Sequence, residues 1–208
     1  MGLAYHAAVT GLVCAIIPWV LPCNYKFIRW FVVRILCYKG YEVIIVIRPM
    51  QLSDVPRVAE IHVFGWRCAY RGIVSDEHLF NTLLVSKRME RFEESLRIND
   101  YENYVYDDGI IKAFLTVGPC RDEDRPEAFE LWGIYVDPCM QGQGIGTALV
   151  AYGENIAARH GYNEICIWTF EKNAPARAFY EKHGYAPDGA TQIVEPYGAG
   201  GVRYHKNI

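Results

Sequence analysis

The chain has 208 residues, 51% of them hydrophobic, enough for one core of ordinary size. Its formal net charge of -3 leaves no basic excess, which argues against a nucleic-acid partner held through phosphate contacts. Seven cysteines, an odd number with neither a C-x-x-C pair nor a His/Cys cluster at zinc spacing, are expected to be free thiols in a reducing cytoplasm, with no metal.

The first 42 residues differ from the rest. Leu3 to Leu21 is mostly apolar but holds His6, Thr10 and Pro18, and Lys26, Arg29, Arg34 and Lys39 follow among aromatics. No positive charge precedes the apolar stretch, which argues against a signal peptide. Three readings stay open: a membrane anchor through residues 3–40, with the basic residues keeping the downstream domain cytoplasmic; an extension from a start codon placed too early; and a soluble helix pair. The domain proper is expected over residues 43–208. Val43 to Arg48 is a β-branched run that reads as a buried strand ended by Pro49. Ser53 is a good N-cap for a helix carrying Val55, Val58, Ala59, Ile61, His62 and Gly65/Trp66 at helical spacing, and His62 is expected to pack within it. Leu79 to Leu96 is a second helical stretch with one charged face. Tyr101 to Tyr106 and Ile110 to Val117 flank Asp107-Asp108-Gly109, a hairpin signal. After a loop from Gly118 to Pro126, Phe129 to Val136 reads as a strand, Thr147 to Arg159 as a helix and Glu164 to Phe170 as another strand. This order suggests a mixed α/β sheet with helices on both faces.

Between the strand and the helix lies Gln141-Gly142-Gln143-Gly144-Ile145-Gly146. A glycine-rich turn opening a helix lets backbone approach a ligand and aims free N–H groups at anionic oxygens. No lysine follows Gly146, so this is not a Walker loop, and the spacing and late position do not fit a dinucleotide fingerprint. Preceded by Ile134-Tyr135-Val136-Asp137-Pro138, and followed by Asn173 and then Tyr180 with Gly184-Tyr185, the loop resembles that of the GNAT superfamily of acetyl-CoA-dependent N-acetyltransferases. Ile47-Arg48-Pro49, Ser53-Asp54 and the stretch from Trp66 to Ile73 resemble that family's first strand and helix, so the likeness spans roughly residues 43 to 208.

The resemblance implies a GNAT fold, with a mixed, mostly antiparallel central sheet and helices on both faces. It implies transfer of an acetyl group from acetyl-CoA to a primary amine of a small molecule or protein, by direct attack in a ternary complex. A non-catalytic, membrane-tethered acyl-CoA sensor is the alternative. By the same resemblance, backbone groups of Ile134, Tyr135 and Val136 pair with the pantetheine arm, and Gln141, Gly142, Gln143, Gly144, Ile145, Gly146 and Thr147 hold the pyrophosphate. Gly144 and Gly146 would permit close approach, and Asn173 would contact the cofactor or order the strand end. Tyr180 matches a tyrosine that protonates the leaving thiolate; otherwise it is an aromatic on the inner face of its helix. Glu130, eleven residues before Gln141, sits where the histone-acetylating branch has its catalytic glutamate, and would be the base, or else only orient substrate or pair with Arg71 at a strand edge. The branch that acetylates protein amino termini has a glutamate five residues before the asparagine; here that position is Trp168, which counts against that mechanism. The acceptor pocket is expected from Trp66, Tyr70 and Arg71 together with the late segment Glu195-Pro196-Tyr197-Gly198, where Glu195 could attract a cation.

Overall fold

The computed structural model describes residues 31–38, 41–98 and 101–208, with side chains from residue 46 onward. An eight-stranded sheet runs in the order β1-β2-β3-β4-β5-β6-β8-β7. The strands are β1 (Phe31–Tyr38), β2 (Tyr41–Pro49), β3 (Glu102–Asp107), β4 (Ile111–Pro119), β5 (Phe129–Val136), β6 (Glu164–Phe170), β7 (Ala186–Val194) and β8 (Ala199–Asn207). The helices are α1 (Val55–Ala69), α2 (Val85–Ile98), α3 (Ile145–Arg159) and α4 (Ala174–Lys182). Every pairing is antiparallel except β5 with β6.

Alternation along the strands divides the core. Tyr104, Tyr106, Ala113, Leu115, Phe129 and Leu131 face α3 and α4. Val105, Phe114 and Tyr135 face α1 and α2 on the other side. A period of two is what sends neighbours to opposite faces, so each strand serves two apolar layers at once. Both layers are sealed, with Leu115 and Leu131 in the first and Val58 and Val105 in the second at 0% exposure.

The sequence-based boundaries of β5 and β6 coincide with the structure. Other elements differ. β1 falls within the region assigned to an amino-terminal extension, yet it pairs with β2 from Phe31↔Ile47 to Tyr38↔Tyr41 and lengthens the sheet. Residues 1–30, and with them the expected anchor, lie outside the described residues. Among the described residues no helix is long and apolar enough to cross a membrane. The expected helix from Leu79 to Leu96 is broken: a π-helical turn, His78–Thr82, precedes α2, and Leu83 leaves helical backbone (φ -80°, ψ 84°). The last two strands form the hairpin β7–β8, in which Gly201 to Asn207 of β8 pair with the whole length of β6.

A buried ion network fixes this last hairpin to the loop before β5. Arg203, 3% exposed, donates to Asp188 (2.7 Å), Asp122 (2.9 Å) and Asp124 (2.6 Å). Burial alone pushes the Asp188 carboxyl up, but the Ala190 backbone N–H and the Arg203 guanidinium outweigh it and hold it below the ordinary carboxylate value. A depressed folded pKa contributes stability above the unfolded value and loses it as pH falls through the folded one. Asp188→Asn is therefore expected to be less stable than the parent at pH 7 and to lose less on acidification below about pH 4. Urea midpoints followed by circular dichroism at pH 7, 4 and 3 check this; parallel declines in the two proteins would refute it.

Candidate active site

The parallel pair β5–β6 is joined only at Phe129↔Ile165 and Glu130↔Cys166. Beyond these, β5 continues to Val136 and β6 to Phe170 without pairing to each other, so the strands splay. β5 also carries a bulge: Thr116 opposes Gly133 and Val117 opposes Leu131, leaving Trp132 as the extra residue. A bulge bends a strand and increases its twist, which helps turn the end of β5 away from β6. Ile134, Tyr135 and Val136 pair with Leu115, Phe114 and Ala113 of β4 on one side only. On the other side, alternate backbone N–H and C=O groups face the gap. A strand-like ligand fits there.

The glycine turn stands at the end of this gap. Asp137 accepts from the Cys139 N–H (2.9 Å) and shapes a short 3-10 turn, Pro138–Met140, while Arg57 of α1 donates to the same carboxylate. Gly142 (φ 77°) and Gly144 (φ 80°) take left-handed backbone, and a Cβ at either would meet open space. Gly144 is the N-cap of α3, and the first helical bond runs from the Ala148 N–H to its carbonyl (3.1 Å). The N–H groups of Ile145, Gly146 and Thr147 precede that ladder, so the turn presents donors at the positive end of the helix dipole. Gln141 and Gln143 are exposed beside them, whereas the Ile145 side chain is buried and contributes backbone alone.

Gly146 departs from expectation. A Cβ there would lie 3.1 Å from Phe179 Cζ, so its small size lets α3 approach α4. The two helices are also tied through His183, whose ring nitrogens lie 2.9 Å from Thr147 Oγ1 and 2.7 Å from the Phe179 carbonyl. Asn173 is buried, and its side chain accepts from the Ala176 N–H (3.4 Å) as the N-cap of α4; it orders the strand end and helix start.

Tyr180 lies on α4 within the core layer that includes Ile134 and Val136 at its edge. Burial, and secondarily the nearby Tyr135 phenol, push its pKa well above 10. Its hydroxyl has no hydrogen-bond partner among the described residues. On the opposite face Tyr135 accepts from Trp66 Nε1 (2.9 Å). Trp66 packs edge-on against Tyr70 (4.8 Å) and Tyr197 (5.4 Å), with Phe170 at the end of β6 beside them. Trp66 and Tyr70 are thus together over the splay, joined by Tyr197. Arg71 and Glu195 are not part of this group: Arg71 is exposed and meets Asp76 at 3.8 Å, and Glu195 is exposed. A surface hollow of about 430 Å³ is formed by the turn from Arg71 to Asp76; of the expected site residues it includes Arg71 and none of the β5 edge, the glycine turn, Trp66, Tyr70 or Tyr180.

Glu130 does not pair with Arg71. Its carboxylate, 1% exposed, is taken by Arg121, whose backbone N–H (3.2 Å) and Nε (3.0 Å) donate to Oε2 while Nη2 donates to Oε1. The two stand nine positions apart across a loop and a strand start, so spacing offered no cue to this pairing. The structure also gathers Cys120 and Asp122 of the loop after β4 with Cys166 of β6. The two thiols are 3.0 Å apart, closer than the roughly 3.7 Å that two thiolates keep on a tetrahedral zinc with Zn–S bonds of about 2.3 Å. Asp122 is already engaged by Trp168 Nε1 (2.8 Å) and Arg203. The cluster has the geometry of a closed polar network.

Comparison with known proteins agrees with this arrangement. The family described as "Acetyltransferase (GNAT) family" matches residues 66–185. An uncharacterized N-acetyltransferase of Bacillus subtilis is 31% identical over 147 residues, covering 69% of this chain and 80% of that protein. A probable N-acetyltransferase of Mycobacterium tuberculosis is 30% identical over 72% of this chain and 84% of its own length. Among solved structures, the PaiA N-acetyltransferase of Thermoplasma acidophilum in complex with coenzyme A superposes with a TM-score of 0.61 at 20% identity, over 79% of this chain and 99% of that one.

Proposed function

The chain belongs to the acetyltransferase (GNAT) family and is an N-acetyltransferase using acetyl-CoA, and from that premise we propose that it acetylates a primary amine by direct attack in a ternary complex. The observation that carries the reading is the splayed β5–β6 pair ending at a helix-capping glycine turn. The residues fit the cosubstrate: the free edge of Ile134, Tyr135 and Val136 is suited to the pantetheine amides, and the turn from Gln141 to Thr147 to the pyrophosphate. Acetyl-CoA supplies an activated thioester, so the protein's tasks are alignment, carbonyl polarisation and proton movement. N–H groups of the β5 edge serve the second task. Tyr180 serves the third as the acid, because its raised pKa keeps the phenol protonated across the neutral range and its hydroxyl is free to donate.

For the ammonium proton we keep Glu130 as the acceptor, acting through water. Arg121 fills three of the roughly four lone-pair positions of the carboxylate, which leaves one for a relay and none for a close ammonium. The relatives do not agree on an acceptor: one is a spermidine N(1)-acetyltransferase and another a mycothiol acetyltransferase. A release screen for free coenzyme A over amines, amino acids, polyamines and peptides tests the reading. At least one amine class is expected to raise release at least ~10-fold over the water background, a modest share of what an acid and alignment supply. Release that no amine increases, with acetyl-CoA bound, would sink it. No observation on the described residues favours the tethered sensor.

A further inference from the structure

α2 turns a buried stripe toward the sheet, made by Val85, Met89, Phe92 and Leu96 packed on Val105, Phe114 and Tyr135. Arg88 falls in this stripe, one turn before Phe92, at a position where helical spacing calls for an apolar residue. It is half-buried and has no salt bridge, hydrogen-bond partner or ring contact for its guanidinium among the described residues. This sets it apart from the other arginines of the interior: Arg48 holds Asp54 and Asp107, Arg57 holds Asp137, and Arg203 holds three aspartates. Burying a guanidinium without an anion costs free energy that packing does not return.

Its surroundings are those of the acceptor side of the splay. Phe92 is 6.0 Å from the His62 ring, and His62 is 4.7 Å from Tyr135, whose hydroxyl is bonded to Trp66. His62 is 6% exposed and its Nδ1 is a buried polar atom with no partner. Burial first, then the charges of Arg88 and Arg91, hold its pKa well below 6.5, so the ring is neutral at physiological pH. Arg88 in turn has its pKa lowered by burial and by Arg91, with partial compensation from the phenols of Tyr135, Tyr197 and Tyr101. Arg88 thus lies within electrostatic reach of phenols, the neutral His62 ring and Arg91, and among the described residues no carboxylate forms a salt bridge with it.

We propose that Arg88 is the specificity-determining anchor for an anionic group on the acceptor, so that the substrate class is an amine that also carries a carboxylate or phosphonate. The unpaired guanidinium on the buried stripe of α2, beside the His62 and Tyr135 wall, carries the inference, which rests on the transferase reading given above. Arginine suits this task because its planar fork holds such anions through two parallel hydrogen bonds. The same positive charge disfavours a polycationic acceptor.

The test is steady-state coenzyme A release with matched acceptors: α-amino acids, their carboxamides, the corresponding decarboxylated amines, and spermidine. The full chain is compared with Arg88→Met and Arg88→Gln, each checked for an unchanged circular dichroism spectrum and acetyl-CoA affinity; if Arg88→Met misfolds, Arg88→Gln carries the comparison. For the parent, kcat/KM is expected to be about tenfold or more higher with the amino acid than with its amide, the gap lying mainly in KM. In both variants that gap should close while turnover of decarboxylated amines stays within about twofold. A parent that prefers amides, decarboxylated amines or spermidine, or variants that weaken all acceptors alike, would overturn the anchor and leave the transferase reading standing. Release from none of the acceptors would overturn the transferase reading, and the anchor with it.

Discussion

Replacing Tyr180 by Phe is expected to lower kcat by about 10²- to 10³-fold, while the acetyl-CoA dissociation constant changes by less than about threefold. The leaving thiolate needs a proton, and a positioned acid typically supplies a factor of that size. The phenylalanine ring keeps the packing of Tyr180 against Phe179 (5.5 Å), Tyr185 (6.2 Å) and Tyr204 (6.2 Å). Because the hydroxyl has no partner among the described residues, its removal leaves none of their buried groups unsatisfied. A fall in kcat thus reports on chemistry and not on folding. Coenzyme A release gives kcat and calorimetry gives the affinity; unchanged turnover would remove Tyr180 from the proton path.

Gly144→Glu should act on the other end of the cofactor. At φ 80° a side chain is strained, by roughly 1–2 kcal/mol for left-handed backbone, but a Cβ there meets nothing within 4 Å. The fold should survive with a small loss in Tm. The glutamate would place a negative charge among the N–H groups assigned to the pyrophosphate, and acetyl-CoA affinity is expected to fall about 100-fold or more. Calorimetric titration with acetyl-CoA checks this. Equal affinity in the variant and its parent would mean that the turn does not hold the pyrophosphate.

Much of the fold was legible because local rules and tertiary packing agree along it. β5 and β6 are apolar runs bounded by turn residues, and the Asp-Gly hairpin carries its own turn chemistry. The failures have physical causes. The break at Leu83 has no glycine or proline to announce it; it follows from packing Leu79 and Leu83 beside Val63 and Phe170. Within the site, the turn and helix start could be located from the motif because spacing along one segment sets them. Pairings across segments could not: Glu130 with Arg121, Thr147 with His183, and Arg57 with Asp137 depend on sheet order and on the β5 bulge. Arg88 was hidden in a stretch that reads as a charged helix face. Only burial shows it turned inward.

The two register pairs that join β5 to β6 make this the seam of the molecule. Five strands, β1 to β5, lie on one side of it and the β6–β8–β7 ribbon on the other. Above Glu130 and Cys166 the halves have no ladder between them, so a cofactor lying there would act as a missing strand, stitching together what the polypeptide leaves open. Departure of coenzyme A would then loosen the rim of the sheet itself, and the cycle of cargo loading and release would double as a cycle of tightening and relaxation in the scaffold that carries Tyr180.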